Sequence, residues 1–276
     1  MRRRTWVGVA VLGAVLFTVA ILVVRTAQTT WVPSVVWRHP SLMTEWDKGI
    51  AQLRKDAETG SATAQFVLGK RFQFGQGVPK DDGEAVKWDR RAAEQGHAEA
   101  QFGLAVCYAT GTGVPKDEAE AVKWYRKAAE QGDTQAQHMV GLYYDGGMGV
   151  PKDEAVAAKW WTMSAERGYV PAQFSLGVAY SKGAGVAWDE TEAVRWYKKA
   201  AEQGFADAQF NLAVAYRFGQ GVLSSNSAAV EWYSKAGESY LKEGRREDAL
   251  TCYDRMKALD PAHPLTKALF AKLYPE

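Results

Sequence analysis

Apolar residues follow two different patterns along the chain. Near the N-terminus, residues 5–24 form one run of twenty uncharged, mostly apolar positions. A helix of that length, rising about 1.5 Å per residue, covers roughly the 30 Å hydrocarbon core of a bilayer. Beyond residue 41, apolar residues instead recur three and four positions apart, which is the spacing of amphipathic helices. The first pattern predicts one transmembrane helix, and the second predicts an all-α domain.

The charges that flank the apolar run predict its orientation. Three arginines, Arg2 to Arg4, precede it, whereas only Arg25 follows closely. The positive-inside rule therefore places a tail, 1–4, in the cytoplasm, followed by a transmembrane anchor, 5–24, and a linker, 25–41. We expect the rest of the chain on the other side of a bacterial inner membrane, in the periplasm.

A cleaved signal peptide is the alternative for this segment. Its apolar stretch would be shorter, about 7–15 residues, and would end at a small-x-small cleavage site. The best local candidate begins at Arg25, a charged residue where a small one is needed. The sequence therefore favours a retained anchor, and either interpretation places the domain outside the cytoplasm.

The helical pattern repeats with a period of 36 residues, and no insertion breaks it across five copies. A glutamine column shows the register: Gln65, Gln101, Gln137, Gln173 and Gln209. A tryptophan column shows it again: Trp88, Trp124, Trp160, Trp196 and Trp232. Self-similarity at a fixed period predicts a stack of structural repeats that share one core.

Each copy reads as two antiparallel helices. In the second copy, Leu104 and Tyr108 lie one helical turn apart, and a Gly-x-Gly sequence beginning at Gly111 ends that segment. Asp117 is a good N-cap for the next helix, and Gly132 stands where a C′ glycine would stop it. Neither helix can bury its apolar face alone, so neighbouring copies must pack together.

These blocks resemble the Sel-one-like repeat (SLR) family, a relative of the tetratricopeptide repeat. The resemblance covers residues 61–237 and is carried by A-x-A-Q-F-x-L-G-x-x-Y, G-x-G-V-P-K-D, A-V-K-W-Y and A-A-E-Q-G. It implies a right-handed α–α superhelix that binds proteins and has no catalytic residues of its own. Here that solenoid would follow the transmembrane helix.

The two ends of the repeat array differ from its middle. Upstream, residues 42–60 match only a second helix and predict an N-terminal cap helix. Downstream, residues 228–261 match the tetratricopeptide pattern and overlap the fifth copy, so one helix would belong to both units. Residues 262–276 then predict a C-terminal cap helix that covers the end of the array.

Composition and charge exclude several classes of protein. The 34 basic and 32 acidic residues leave a net charge of +2, which excludes a nucleic-acid-binding tail, and 47% hydrophobic residues exclude a disordered chain. Cys107 and Cys252 are too few for a disulfide framework, and the four histidines lack ligand spacing for a metal. The Gly-x-Gly sequences recur in every copy, as turns do, and none continues into a phosphate-binding motif. We therefore predict no enzyme, no cofactor, no nucleic acid and no small-molecule substrate.

The candidate partner-binding residues lie on the first helices, which in the resembled family line the concave surface. They recur one helical turn apart and form a ladder. The phenylalanines also fit packing between copies, which we favour for them, so the positions that vary are the better candidates. The full set is Phe66, Lys70, Gln73, Phe74, Phe102, His138, Asp145, Phe174, Lys182, Phe210, Arg217 and Phe218.

The sequence therefore predicts a membrane-anchored scaffold or adaptor that binds a protein, either a peptide segment or a folded domain, on the non-cytoplasmic side. One alternative, drawn from the resembled family, is a periplasmic immunity or inhibitor protein that neutralises a toxin or a sensor. Another is a protein that binds cell wall or carbohydrate, suggested by eleven tryptophans and twelve tyrosines. Most tryptophans recur in a core stripe, which weakens that second alternative.

Overall fold

Thirteen α-helices and no strand occur in residues 40–275, which are the part of the chain described by the computed structural model. Side chains are described for residues 49–275. The predicted tail and anchor, 1–4 and 5–24, lie outside the described residues. Within the described part, no helix has the length and apolarity needed to cross a membrane. The all-α prediction is confirmed, while the superhelix handedness stays a prediction.

The helices follow one another with short connections. They are α1 (Pro40–Glu58), α2 (Ala62–Phe74), α3 (Asp82–Glu94), α4 (Ala98–Thr110), α5 (Glu118–Glu130), α6 (Thr134–Gly146), α7 (Glu154–Glu166), α8 (Val170–Lys182), α9 (Glu190–Glu202), α10 (Ala206–Phe218), α11 (Asn226–Lys242), α12 (Arg246–Leu259) and α13 (Pro264–Leu273). From α2 to α10, every helix has 13 residues. The 36-residue sequence period thus corresponds to a constant pair of short helices.

The second helix of each copy begins at the predicted cap. The Asp117 carboxylate accepts a hydrogen bond from the backbone N–H of Glu120, with 3.0 Å between oxygen and nitrogen. Equivalent bonds cap the other copies at Asp81, Asp153, Asp189 and Ser225. Each bond satisfies a backbone donor that the helix cannot satisfy itself and contributes about 1 kcal/mol.

The Gly-x-Gly loops are structural turns. Gly111 and Gly113 have positive φ angles of 76° and 72°, which glycine adopts without strain. A Cβ on Gly113 would also collide with the carbonyl of Asp82, at the start of the preceding copy's second helix. Gly185 approaches Glu154 in the same way. Both conformation and space therefore require glycine here, which supports the turn interpretation over a phosphate loop.

The glutamine column holds consecutive copies together. Gln101 Nε2 donates to the carbonyl of Ala93 at 3.1 Å, joining α4 to the last turn of α3. The same bond, between residues eight apart, recurs at Gln65, Gln137, Gln173 and Gln209. These amides are buried, where an unpaired donor would be costly. Each adds a second hydrogen bond to a carbonyl that already accepts from the glycine after the helix, as Ala93 does from Gly96.

The chain divides into two compact units, Met1–Lys116 and Asp117–Glu276. Within each unit, consecutive described helices pack against one another. The first unit has a core around Leu68. The second has several buried clusters, one of which gathers α10 to α13 around Met256 and Leu269. Alanines and glycines between the larger apolar residues allow this close helix packing.

Candidate protein-binding site

The phenylalanines of the predicted ladder are half-buried and pack onto other rings. Phe66 stacks on His97, with 4.8 Å between ring centroids. In the second unit, Phe174 lies 5.2 Å from Phe205. His97 and Phe205 are the residues that precede the first helix of the following copy. This part of the ladder joins successive copies, as the packing interpretation predicts.

Phe102 and Phe210 occupy the same register and are likewise half-buried. The Phe210 ring lies 5.4 Å from the ring of Tyr233 in an edge-to-face arrangement. Tyr233 belongs to the second helix of the same copy. The phenylalanine therefore also fixes the two helices of one copy against each other.

His138 corrects the sequence prediction, because it is not an accessible member of the ladder. Its residue is 1% exposed, and its Nε2 lies 3.0 Å from the hydroxyl of Ser175. The ring also contacts Tyr169, with 5.5 Å between centroids. Burial lowers the pKa of His138 to about 3, so the imidazole is neutral. It takes the packing position of the phenylalanines and cannot meet a partner in this conformation.

Lys70 and Gln73 belong to a polar cluster in the first unit. Lys70 Nζ lies 3.1 Å from Asp89 Oδ2 and 3.1 Å from Gln73 Oε1. Its ammonium also lies 5.0 Å from the centroid of Phe66. The Lys70 side chain is 29% exposed, but its charge is already matched by a carboxylate. Lys70 is therefore held in place and partly neutralised.

Asp89 is the member of this cluster that sequence reasoning missed. Its side chain is 2% exposed, and Oδ1 has no hydrogen-bond partner. Burial raises the pKa of Asp89, while the adjacent Lys70 opposes that rise. The signal was present in the sequence, because the same register holds aromatic residues in every other copy: Tyr125, Trp161, Tyr197 and Tyr233.

Asp145 and Lys182 are the charged candidate residues in the middle of the second unit. Asp145 is half-buried, and burial raises its pKa against the opposing influence of Lys152 and Lys182. Lys182 is exposed at the end of α8. A partner would find opposite charges close to one another here.

Arg217 differs from the other charged candidates. It is half-buried, and its guanidinium carbon lies 4.9 Å from the ring centroid of Phe218. Its Nη1 is buried without a hydrogen-bond partner. Among the ion pairs of residues 49–275, none includes Arg217. This cation contacts the Tyr233 phenol and the Phe218 ring, and no carboxylate within residues 49–275 pairs with it.

Exposed aromatic residues mark the ends of two first helices. Phe74 is 42% exposed at the end of α2, and Phe218 is 60% exposed at the end of α10. The corresponding positions in the intervening copies are Thr110, Gly146 and Lys182. An exposed aromatic ring contributes to binding only when a partner covers it, so these two positions fit a binding role better than the packed phenylalanines.

Two further exposed apolar side chains were missed by the sequence reasoning. Trp188 is 64% exposed and Leu223 is 90% exposed. They replace the lysine and the proline of the P-K-D sequence in the inter-helix loops, and that departure was the available signal. Most other described tryptophans are buried or half-buried, so the structure explains the aromatic content mainly by packing.

The two cysteines are buried free thiols. Burial raises the pKa of Cys107 to about 11 and that of Cys252 to about 12. Both are therefore protonated at neutral pH, which makes them poor nucleophiles and poor metal ligands. In the described part of the chain, no cluster of three or more His, Cys, Asp or Glu residues has the geometry to hold a metal ion.

Comparison with known families matches the repeated segments. The Sel1 repeat model matches residues 62–97, 98–133, 134–169, 170–205 and 206–240. These five matches run without a gap and include the glutamine and tryptophan columns. No curated protein matches the sequence.

Two solved structures are similar over most of this chain. A Sel1 repeat protein from Oxalobacter formigenes is 30% identical, with a TM-score of 0.71, and the match covers 84% of this chain and 93% of that one. A protective antigen of uropathogenic Escherichia coli with an SLR fold is 33% identical, with a TM-score of 0.68. The match covers 79% of this chain and 52% of the antigen, so this chain spans about half the antigen's length.

Proposed function

Because this chain belongs to the Sel1 repeat family, we propose that it is a membrane-anchored scaffold that binds a protein partner through the first helices of its repeats. Sel1 repeat scaffolds are generally non-enzymatic adaptors, and their repeats typically bind proteins. The anchor would be residues 5–24, with the repeats in the periplasm. The family match supports the binding role, and the charge asymmetry around the apolar run supports the anchor.

The observation that carries the binding proposal is the contrast between uniform and variable positions. Residues that build the repeat, such as Gln101 and Gly113, have the same contacts in copy after copy. Phe74 and Phe218 have exposed side chains, and Arg217 has one buried nitrogen, Nη1, without a hydrogen-bond partner. A preformed surface of this kind loses little conformational entropy when it binds.

Site-specific cross-linking in intact cells tests the binding proposal. A photo-cross-linking amino acid placed at Phe218 should capture one recurrent protein, whereas the same group at Lys198 should not. Lys198 is a suitable control because it is exposed on a second helix, α9. Equal capture at both positions, or none at either, would contradict binding through the first helices. A captured toxin or sensor would indicate the immunity or inhibitor role.

Reporter fusions test the proposed side of the membrane. Alkaline phosphatase fused after residue 276 should be active and β-galactosidase inactive, because the first enzyme needs periplasmic disulfides. Deletion of residues 5–24 should release the protein from the membrane fraction. The opposite reporter pattern would place the repeats in the cytoplasm.

A further inference from the structure

Two loops near the end of the repeat array carry exposed apolar side chains. Leu223 is 90% exposed and Trp188 is 64% exposed, the two highest values among the large apolar side chains of residues 49–275. Trp188 lies in the loop between α8 and α9, and Leu223 lies in the loop between α10 and α11. We call these two residues the apolar tips. A single exposed apolar residue is ordinary, but two in consecutive copies require an explanation.

The backbone holds both loops in a fixed conformation. The N–H of Asp189 donates to the carbonyl of Tyr180 at 3.1 Å, and the N–H of Ser225 donates to the carbonyl of Tyr216 at 2.8 Å. In the first of these loops, Val186 also packs against the core of the second unit. The exposure of the tips is therefore a property of closed, ordered loops.

The two tips lie on neighbouring loops of the second unit. A Cβ on Gly221 would lie 2.1 Å from the carbonyl oxygen of Glu190, so the loop that carries Leu223 rests on the first residue of α9. Trp188 precedes Glu190 by two residues, and Leu223 follows Gly221 by two. Both tips can therefore meet the same occupant.

The corresponding loops of the first three copies have no apolar tip of this kind. Lys80 lies 3.4 Å from the carboxylate of Asp82, and Lys152 lies 2.6 Å from that of Glu154. These loops present a charge to water beside an acid. The two registers hold Lys80, Lys116 and Lys152 in place of Trp188, and Pro79, Pro115 and Pro151 in place of Leu223. The fold therefore does not require an apolar residue at either tip.

The chemistry of the tips fits a lipid surface. Tryptophan is enriched where a membrane meets water, and leucine is favoured in hydrocarbon. A leucine that is 90% exposed projects from the protein, and lipid closes around a projecting side chain without a preformed pocket. The nearest charges do not oppose this contact. Lys182 has a long stem that can reach to the water side, and the Asp189 carboxylate caps α9 through the N–H groups of Thr191 and Glu192.

The predicted anchor argues for the same occupant. The described residues begin at Pro40, and the predicted anchor, 5–24, precedes them along the chain. The predicted linker, 25–41, can span at most about 60 Å when extended. A bilayer that holds the anchor is therefore present at high effective concentration around the repeats.

We propose that Trp188 and Leu223 insert into the surface of the membrane that holds the anchor. The occupant is the headgroup and upper acyl region of a lipid bilayer, and the contact is apolar. This inference rests on the membrane anchor of the proposed function and adds a second membrane contact to it. Two contacts fix the orientation of the last two Sel1 copies, which a linker alone does not.

Lipid quenching on the full chain in phosphatidylcholine nanodiscs tests the proposal. The environment-sensitive dye NBD, attached to Ser224→Cys, lies next to Leu223 and leaves both tips intact. The native thiols, Cys107 and Cys252, are buried and protonated, so they react poorly with the dye reagent. Lipids with a nitroxide just below the headgroup should quench this dye. High salt should not reduce the quenching, because the contact is apolar.

Two controls show whether the tips cause the quenching. The same dye on Glu202→Cys should not be quenched, because this exposed residue ends α9, about 18 Å along the helix from Glu190. Trp188→Lys with Leu223→Pro, made in the Ser224→Cys protein, restores the residues of the earlier copies. This double change should lower the ratio of docked to undocked protein by about tenfold or more, since burial of the leucine alone contributes that much.

The outcomes separate this inference from the proposed function. A dye on Ser224→Cys that is not quenched, or quenching that persists in the double variant, would overturn the membrane contact and leave the anchor and protein binding in place. Failure of the full chain to enter the nanodiscs would overturn the anchor and this inference together. A photo-cross-linking group at Leu223 that captures a protein, without lipid quenching, would assign the tips to the protein partner and overturn the lipid contact.

Discussion

The first and last Sel1 copies treat a positive charge on the first helix in opposite ways. In the first copy, Lys70 is held by a buried acid, Asp89, and by Gln73. In the last copy, Arg217 lies against Phe218 and leaves a buried donor unpaired. The register that holds Asp89 in one copy holds Tyr233 in the other.

The difference teaches how a repeat can be specialised without changing its backbone. An acid at the position of Asp89, which is aromatic in the other copies, pairs with the nearby cation and holds it in the fold. A tyrosine at that position, such as Tyr233, gives the nearby cation a neutral phenol as its neighbour in place of a carboxylate. In both copies the first helix has 13 residues and a side-chain oxygen caps the second helix, so the change in the treatment of the cation lies in side chains.

The largest effect is expected when the cation of the first copy is removed. Lys70→Met leaves the Asp89 carboxylate buried without its partner, which should lower the free energy of unfolding by about 3 kcal/mol. Urea denaturation at neutral pH measures this change. The loss should shrink in acid, because protonation neutralises the Asp89 carboxylate. Burial raises the pKa of Asp89, so this protonation occurs at a higher pH than for an exposed aspartate. A loss that does not depend on pH would contradict the role of the carboxylate.

A buried histidine sharpens the comparison in acid. Burial lowers the pKa of His138 from 6.5 to about 3. The free energy of unfolding is therefore highest above about pH 6.5 and falls as the pH drops toward 3, because the unfolded chain binds a proton that the folded chain does not. His138→Phe, which restores the residue of the other copies, should remove a slope of about 1.4 kcal/mol per pH unit at most. Denaturation across this range tests it, with His97→Asn as the control. An unchanged slope in His138→Phe would refute this assignment.

Restoring the common pattern in the first copy should have a smaller effect of opposite sign. The double variant Lys70→Val with Asp89→Tyr places the residues of the last copy, Val214 and Tyr233, in the first. Replacing a buried ion pair by packed apolar groups often stabilises a protein by about 1–4 kcal/mol, and we expect the lower end. Gly69 leaves room for the ring, as Gly177 does beside Tyr197. A destabilised double variant would show that the ion pair contributes more than packing.

The smallest effect on stability is expected at the unpaired cation. Arg217→Met removes a buried donor that has no acceptor, so the free energy of unfolding should stay within about 0.5 kcal/mol of the unaltered protein. Thermal and urea denaturation measure it beside Lys70→Met. A loss as large as that of Lys70→Met would show that Arg217 has a structural partner and would remove the contrast between the copies.

Much of the fold could be read from local chemistry. Asp117 and its equivalents predicted helix starts because a carboxylate caps backbone donors within its own turn. Gly111 and Gly113 predicted a turn because glycine tolerates positive φ. The candidate site was read less well. His138 was placed on an accessible face, because its register could be counted but its burial depends on helices from neighbouring copies.

The sequence by itself determined the repeat, its helix boundaries and its family, because a period, a cap and a glycine turn depend on residues close together in the chain. Only the tertiary structure decided which charges are available. Asp89 meets Lys70 from a position nineteen residues away, whereas Arg217 forms no ion pair with any acid of residues 49–275. Such pairing depends on which helix faces pack together, and helix packing brings together residues that are far apart in the sequence.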